Sequence, residues 1–168
     1  MPSAIERFER AVQAAGLSLK IARFPQGTKT AAEAANAVGC EIGQIVKSLV
    51  FVGDGRPFLA LTSGSNRADP ARLARLVGSA EVHRAGPDEA REATGYAIGG
   101  TPPFGHPRPL TVLVDRDLLS YQVVWAAAGT PDSVFPISPD ELVRTTNGQV
   151  ANFKEEGGAT DPGGKRAG

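Results

Sequence analysis

Ile45-Val46-Lys47-Ser48-Leu49-Val50-Phe51-Val52 is the stretch whose reading decides the fold. Six of its eight residues are aliphatic or aromatic, several are β-branched, and Gly53-Asp54-Gly55 follows as a turn. That pattern predicts a buried β-strand. Alternation sets Ile45, Lys47, Leu49 and Phe51 on one face and Val46, Ser48, Val50 and Val52 on the other. Both faces are mostly apolar, so the strand belongs inside a sheet covered on both sides. Lys47 is the anomaly. An ammonium there is costly unless it finds a partner or a wet cavity. Position alone favours a lysine that snorkels from the strand start to solvent.

Working outward, Pro57–Thr62 reads as the return strand of a hairpin. Upstream, Ser3 caps a helix to about Gln13 with Ile5, Phe8 and Val12 inward, and Leu17–Phe24 reads as a short strand. Thr30-Ala31-Ala32-Glu33 is a capping box that opens an alanine-rich helix to about Val38. Downstream, Asp69 caps a helix from Pro70 to about Leu76, Ala80–His83 is a strand, and Gly86–Glu89 opens a helix ending near Thr94. Strands are expected at Thr111–Val114, Tyr121–Ala127, Val134–Ile137 and Gly148–Ala151, with a helix from Ser138 to about Arg144. Short strands mixed with helices, joined by both hairpins and crossovers, give an α/β or α+β domain with a mixed sheet. The domain is expected over residues 1–153. The rest, 154–168, is Gly-, Pro- and charge-rich and is expected to be a disordered tail.

The totals narrow the function classes. The 168 residues suffice for one core, and 18 basic residues balance 18 acidic ones. This argues against a strongly basic nucleic-acid surface but leaves room for a local basic patch. Cys40 is the single cysteine, so an internal disulfide is impossible. The first residues turn helical and charged at once, without a signal-peptide apolar run, and no apolar stretch is long enough to span a membrane. A cytoplasmic protein with no membrane contact is expected. Two histidines and one cysteine without close spacing give no expectation of a metal or other cofactor.

The second unusual stretch is Gly95–Pro109, which holds four glycines and four prolines. One reading is a stiffened surface connection. The other is a site: Gly99-Gly100 frees backbone N–H groups to approach a ligand, Pro102 and Pro103 fix the loop, and two rigid donors polarise a carbonyl. No phosphate-loop or dinucleotide fingerprint is present. Cys40 as a nucleophile with His83 or His106 as base has no support from spacing, and His106 reads as loop surface. Asp115 with Asp117 reads as turn chemistry, and Trp125 and Phe135 as core. Arg67, Arg72, Arg75 and Arg84 gather loosely around one helix, as a solvated face or as phosphate contacts. An enzyme with this inventory works by positioning and backbone dipoles.

Four stretches together resemble the YbaK/EbsC family, the stand-alone relatives of the editing domain inserted in bacterial prolyl-tRNA synthetases. They are Thr28-Lys29-Thr30-Ala31-Ala32-Glu33-Ala34-Ala35, Gln44–Phe51, Gly99-Gly100-Thr101-Pro102-Pro103-Phe104-Gly105 and Val124-Trp125-Ala126-Ala127-Ala128-Gly129. The resemblance runs from about Ala11 to Asn152. It implies a strongly curved mixed sheet surrounded by helices. It also implies hydrolysis of the ester that joins a wrong small amino acid (Ala, Cys, 2-aminobutyrate or similar) to the 3′ end of tRNA, chiefly proline tRNA. By the same resemblance Lys47 falls on the family's functional lysine. Gly99 to Pro103 falls on its Gly-x-x-x-Pro loop, whose first glycine, Gly99, supplies a backbone donor to the ester carbonyl, with Gly100 beside it counted among the catalytic residues. Thr30, Ala34, Thr101 and Pro103 would border the substrate. Thr130 stands where some relatives carry a His or Ser that shapes the pocket.

An aminoacyl ester is already activated, so orientation of ester and water with an N–H donor suffices in principle. Two other readings stay open: a non-catalytic tRNA- or synthetase-binding module of the same fold, and a thiol hydrolase using Cys40. With zero net charge, the partners expected are the aminoacyl-tRNA 3′ end through a local basic patch, and a prolyl-tRNA synthetase or an elongation factor that delivers it.

Overall fold

The computed structural model describes residues 2–28 and 30–156, and the backbone of 160–162 and 165–166. In chain order it places α1 (Ala4–Ala14), β1 (Ala22–Arg23), α2 (Ala31–Val38), β2 (Val46–Gly53), β3 (Arg56–Ser63), α3 (Pro70–Val77), β4 (Val82–Arg84), α4 (Pro87–Thr94), β5 (Thr111–Asp115), β6 (Val124–Ala127), β7 (Ser133–Ile137), α5 (Pro139–Thr146) and β8 (Gln149–Ala151).

β2 and β3 form the hairpin around which the sheet grows. Gly53 pairs with Arg56, leaving Asp54 and Gly55 as a two-residue turn, both with positive φ (51° and 76°). Such a turn matches the right-handed twist of the strands it joins. The five-stranded sheet runs β4-β2-β3-β5-β8. β4 and β3 flank β2 antiparallel, whereas β3, β5 and β8 are mutually parallel neighbours. A second, three-stranded antiparallel sheet runs β1-β7-β6. One parallel bridge, Ile45 with Trp125, links the two sheets. The expected curved mixed sheet is thus built as two hydrogen-bonded ladders joined at that point.

The alternation read from the sequence is realised. Val46, Val50 and Val52 join Leu59, Leu61, Val112, Val114, Phe8 and Phe135 in the larger core between the sheets and α1. Phe51 joins Phe58, Ala60, Leu73, Leu113 and Phe153 in a second core under α3. Each fully buried large side chain contributes about 1.5–3 kcal/mol, so a one-residue slip of β2 would forfeit both cores at once.

Local signals place the helices. Ser3 and Thr30 accept from the N–H of Glu6 and Glu33, whose carboxylates return to the cap N–H groups, as a capping box requires. Asp69 and Ser138 cap α3 and α5, each followed by Pro. Two strands are shorter than the sequence suggests. Leu17, Leu19 and Ile21 pack on the core without ladder partners, so only Ala22–Arg23 of that segment is strand. Residues 116–120 form a short 3₁₀ turn, and the following strand starts at Val124 rather than Tyr121.

Past β8 the backbone stays tied to the loop before α3 as far as Glu155. Phe153 is fully buried, and Glu155 N–H donates to the Arg67 carbonyl at 2.7 Å. Thr160–Pro162 and Lys165–Arg166 form a separate antiparallel pair. The rest of the expected tail, 157–159, 163–164 and 167–168, lies outside the described residues.

Candidate active site

β2 has one half-open edge. β3 pairs along its whole length, but β4 covers the other edge only at Phe51–Gly53. Near Val46–Val50 stands β6, which among the described residues is bridged to the chain at Ile45, just before β2, through Trp125. The opening holds a cavity of about 480 Å³. Its walls are Ile45 and β2 from Val46 to Val50, Trp125–Ala127 of β6, the N-cap Thr30 with Ala31 and Ala34 of α2, and the turn carrying Ile98 and Gly99. A volume in this range suits a small organic group. Trp125, read as core from sequence, is half-buried and forms part of the wall.

Lys47 lines this cavity half-buried. Its Nζ donates to the Asn66 carbonyl at 2.5 Å. Burial lowers its pKa, and the nearby Arg84 and Arg67 guanidinium groups lower it further, while Asp115 opposes them. The sequence anomaly is thus answered by a wet cavity and a backbone partner together. Arg84 also lines the cavity, its guanidinium 5.9 Å from the Phe51 ring centroid. Among the described residues no carboxylate pairs with it. Two cations therefore border one small volume without carboxylate neutralisation inside it, which favours an anionic guest.

Gly99 lines the same chamber as Lys47, with φ of +90°, a conformation that favours glycine. Among the described residues its N–H has no acceptor. Gly100 differs: it is buried, its N–H donates to the Ala97 carbonyl at 3.0 Å, and it does not line the cavity. A Cβ on Gly100 would stand 2.7 Å from the Thr130 Cα and 2.9 Å from the Gly129 carbonyl oxygen. Gly100 therefore seats the turn against Thr130, while Gly99 presents it.

Of the other residues expected at the site, Thr30, Ala34 and Thr101 line the cavity. Thr101 also donates to the Ala97 carbonyl at 3.1 Å, bracing the same turn. Pro103 is buried behind the turn, beside a different surface hollow. Thr130 lies behind the wall, its hydroxyl donating to Asp132 at 2.5 Å. Thr28 Oγ1 donates to the Pro131 carbonyl at 2.8 Å, which ties the approach to α2 to that loop.

Several contributors escaped the sequence reading. Ser48 lines the cavity with a buried hydroxyl that has no partner among the described residues. Asp115 is fully buried and accepts from Ser63 N–H and Asn66 Nδ2, each at 2.9 Å. It still caps the turn at Asp117 N–H, but it also anchors the loop that carries Lys47's acceptor. His106 is not loop surface: its Nε2 lies 2.8 Å from the Pro102 carbonyl, and burial lowers its pKa. Cys40 sits outside the cavity, and burial with the adjacent Glu41 raises its thiol pKa, the reverse of an activated nucleophile. His83 is exposed beside Glu89. Among the described residues no cluster of metal-ligating side chains occurs, and no helix is long and apolar enough to cross a membrane.

Comparison with known proteins gives a consistent result. The family model described as the aminoacyl-tRNA editing domain matches residues 25–145. A crystal structure of a candidate trans-editing enzyme for prolyl tRNA synthetase superposes with a TM-score of 0.87 at 49% identity, covering 92% of this chain and 99% of that one. EbsC of Enterococcus faecalis, named as a candidate Cys-tRNA(Pro)/Cys-tRNA(Cys) deacylase, is 28% identical over 125 residues, 74% of this chain and 76% of EbsC. The proline–tRNA ligase of Maridesulfovibrio salexigens is 32% identical over 101 residues, 60% of this chain but only 17% of the ligase.

Proposed function

Because the chain belongs to the aminoacyl-tRNA editing domain family, we propose that it is a trans-editing deacylase that hydrolyses mischarged aminoacyl-tRNA, with proline tRNA the first substrate to test. The observation that carries this reading is one small chamber lined by both Gly99, whose N–H has no acceptor among the described residues, and Lys47. The likeness to the candidate trans-editing enzyme and to one segment of proline–tRNA ligases supports it.

The chemistry asks little of the protein. Water adds to the ester carbonyl carbon, negative charge gathers on the carbonyl oxygen, and the bond to the terminal ribose oxygen breaks as that oxygen takes a proton. Gly99 N–H stabilises the oxyanion, a type of contact whose loss costs about 10²–10³ in rate. Lys47 and Arg84 hold the terminal nucleotide, whose phosphate matches their charge. Thr30, Ala31, Ala34 and Trp125 enclose the amino-acid side chain, with Thr101 bracing the Gly99 turn. A chamber with alanine walls admits Ala, Cys or 2-aminobutyrate and separates such neighbours by only about 10–200-fold. A net charge of zero favours delivery of the tRNA by a synthetase or elongation factor over tight independent binding.

The test is release of amino acid from proline tRNA charged in turn with Ala, Cys, Ser, 2-aminobutyrate and Pro. The reading expects turnover of at least one non-proline ester and sparing of Pro. Binding of these tRNAs without turnover would instead favour a non-catalytic module.

A further inference from the structure

Lys47 is held by something other than its own strand. Its ammonium is anchored on the Asn66 carbonyl, nineteen residues away, in the loop between β3 and α3. That loop is clamped by the Asn66 carboxamide, whose Nδ2 bridges Asp115 Oδ2 and Asp117 Oδ2 at 2.9 Å each. Asp117 Oδ2 in turn accepts from Lys154 Nζ at 2.8 Å. The segment carrying Lys154 is stitched to the same loop through its backbone: Asp69 N–H donates to the Phe153 carbonyl and Glu155 N–H to the Arg67 carbonyl, both at 2.7 Å. Ala68 and Lys154 form an antiparallel bridge between these contacts.

From this juxtaposition we infer that Asn66, Asp117 and Lys154 are positioning residues for Lys47, and that the segment after β8 thereby sets the geometry of the site. The inference rests on the deacylase reading for its consequence in catalysis, but not for its geometry. None of the three residues lines the cavity. A dipole fixed at both ends aims one carbonyl oxygen at one ammonium. The charged groups that face Lys47 are Arg84 from β4, Arg67 from the loop and Asp115 from the end of β5. Lys154 is held at Asp117, one residue pair farther out.

Two variants separate positioning from charge. Asn66→Ala removes the clamp without changing charge. Lys154→Met removes a cation, which by Coulomb's law alone would raise the pKa of Lys47 or leave it unchanged. Loosening the Asn66 carbonyl deprives the ammonium of its acceptor and lowers that pKa instead. The measurement is titration of Lys47 by NMR of its ¹³Cε, assigned with Lys47→Arg, in the full chain. The midpoint is expected to fall by about one pH unit in Asn66→Ala, by less but in the same direction in Lys154→Met, and to return in Lys154→Arg. In parallel, kcat/KM for the best ester of the panel is expected to fall about tenfold in Asn66→Ala. Unchanged midpoints in both variants, or a rise in Lys154→Met, overturn the inference. Loss of activity that tracks only a lower Tm, with the midpoint unmoved, does so as well. Should the wild type release no ester, the deacylase reading fails, and the titration still decides whether these residues position Lys47.

Discussion

Gly99 and Gly100 are adjacent, yet substitution by alanine should damage the protein for different reasons. At Gly99 the nearest atoms to an added Cβ are those of Pro131, at 3.9 Å, so space is available. The cost is backbone strain at φ of +90°, about 1–2 kcal/mol. At Gly100 φ is ordinary, but the Cβ would stand 2.7 Å and 2.8 Å from Thr130 Cα and C, and 2.9 Å from the Gly129 oxygen. All three are backbone atoms, which cannot swing aside as a side chain does. The turn must therefore move by several tenths of an ångström, at a cost toward the upper end of overpacking, about 3 kcal/mol. For a chain of this size each kcal/mol lowers Tm by about 2–4 °C. Urea unfolding and thermal melts should thus rank Gly100→Ala below Gly99→Ala, with Tm losses near 6–12 °C and about 2–8 °C. Deacylation should fall in both, by up to about 10²-fold, because the Gly99 N–H is misaimed. If Gly99→Ala is the more destabilising of the two, packing on Thr130 is not what seats the turn, and the division of roles between the two glycines is wrong.

Other perturbations follow from single groups. Ser48→Ala removes a buried hydroxyl without a partner, so it should stabilise the free protein by about 1 kcal/mol in urea unfolding. His106 is kept neutral by burial, which outweighs the Pro102 carbonyl. Its folded pKa lies below its unfolded one, so the unfolded chain binds the proton first and stability falls as pH drops through about 6.5. His106→Gln should flatten that slope in denaturation measured between about pH 7 and 5. Cys40→Ser should retain full deacylation, and the wild-type thiol should react slowly with a disulfide reagent, since burial and Glu41 raise its pKa.

The fold was legible where a local pattern and a tertiary partner agree. β2, its hairpin turn and the Ser3 and Thr30 capping boxes each have a signature within a few residues. Leu17–Phe24 shows the limit of periodicity. Its alternation reports burial of Leu17, Leu19 and Ile21, but not whether a neighbouring strand is there to pair. At the site, Lys47 stood out because an ammonium on an apolar strand demands an explanation, and Gly99 because of the Gly/Pro density around it. Asn66 and Asp115 did not stand out. One reads as a loop residue and the other as a turn cap, and they meet only because the parallel pairing of β3 and β5 brings their strand ends together across forty-nine residues. His106 was misread because Gly105 and Pro107 look like surface punctuation, whereas the ring between them is largely buried and lies against the Pro102 carbonyl.

The central claim is that Lys47 and the Gly99 turn together hydrolyse a mischarged ester. Its most direct test is the time course of amino-acid release from proline tRNA carrying the best non-proline ester of the panel, by wild type, Lys47→Ala and Lys47→Arg, with Pro-charged tRNA as the control. Release by wild type from that ester but not from the prolyl one is expected, with loss of at least about 10²-fold in Lys47→Ala at an unchanged melting curve, and partial recovery in Lys47→Arg. Equal release by wild type and Lys47→Ala would contradict it.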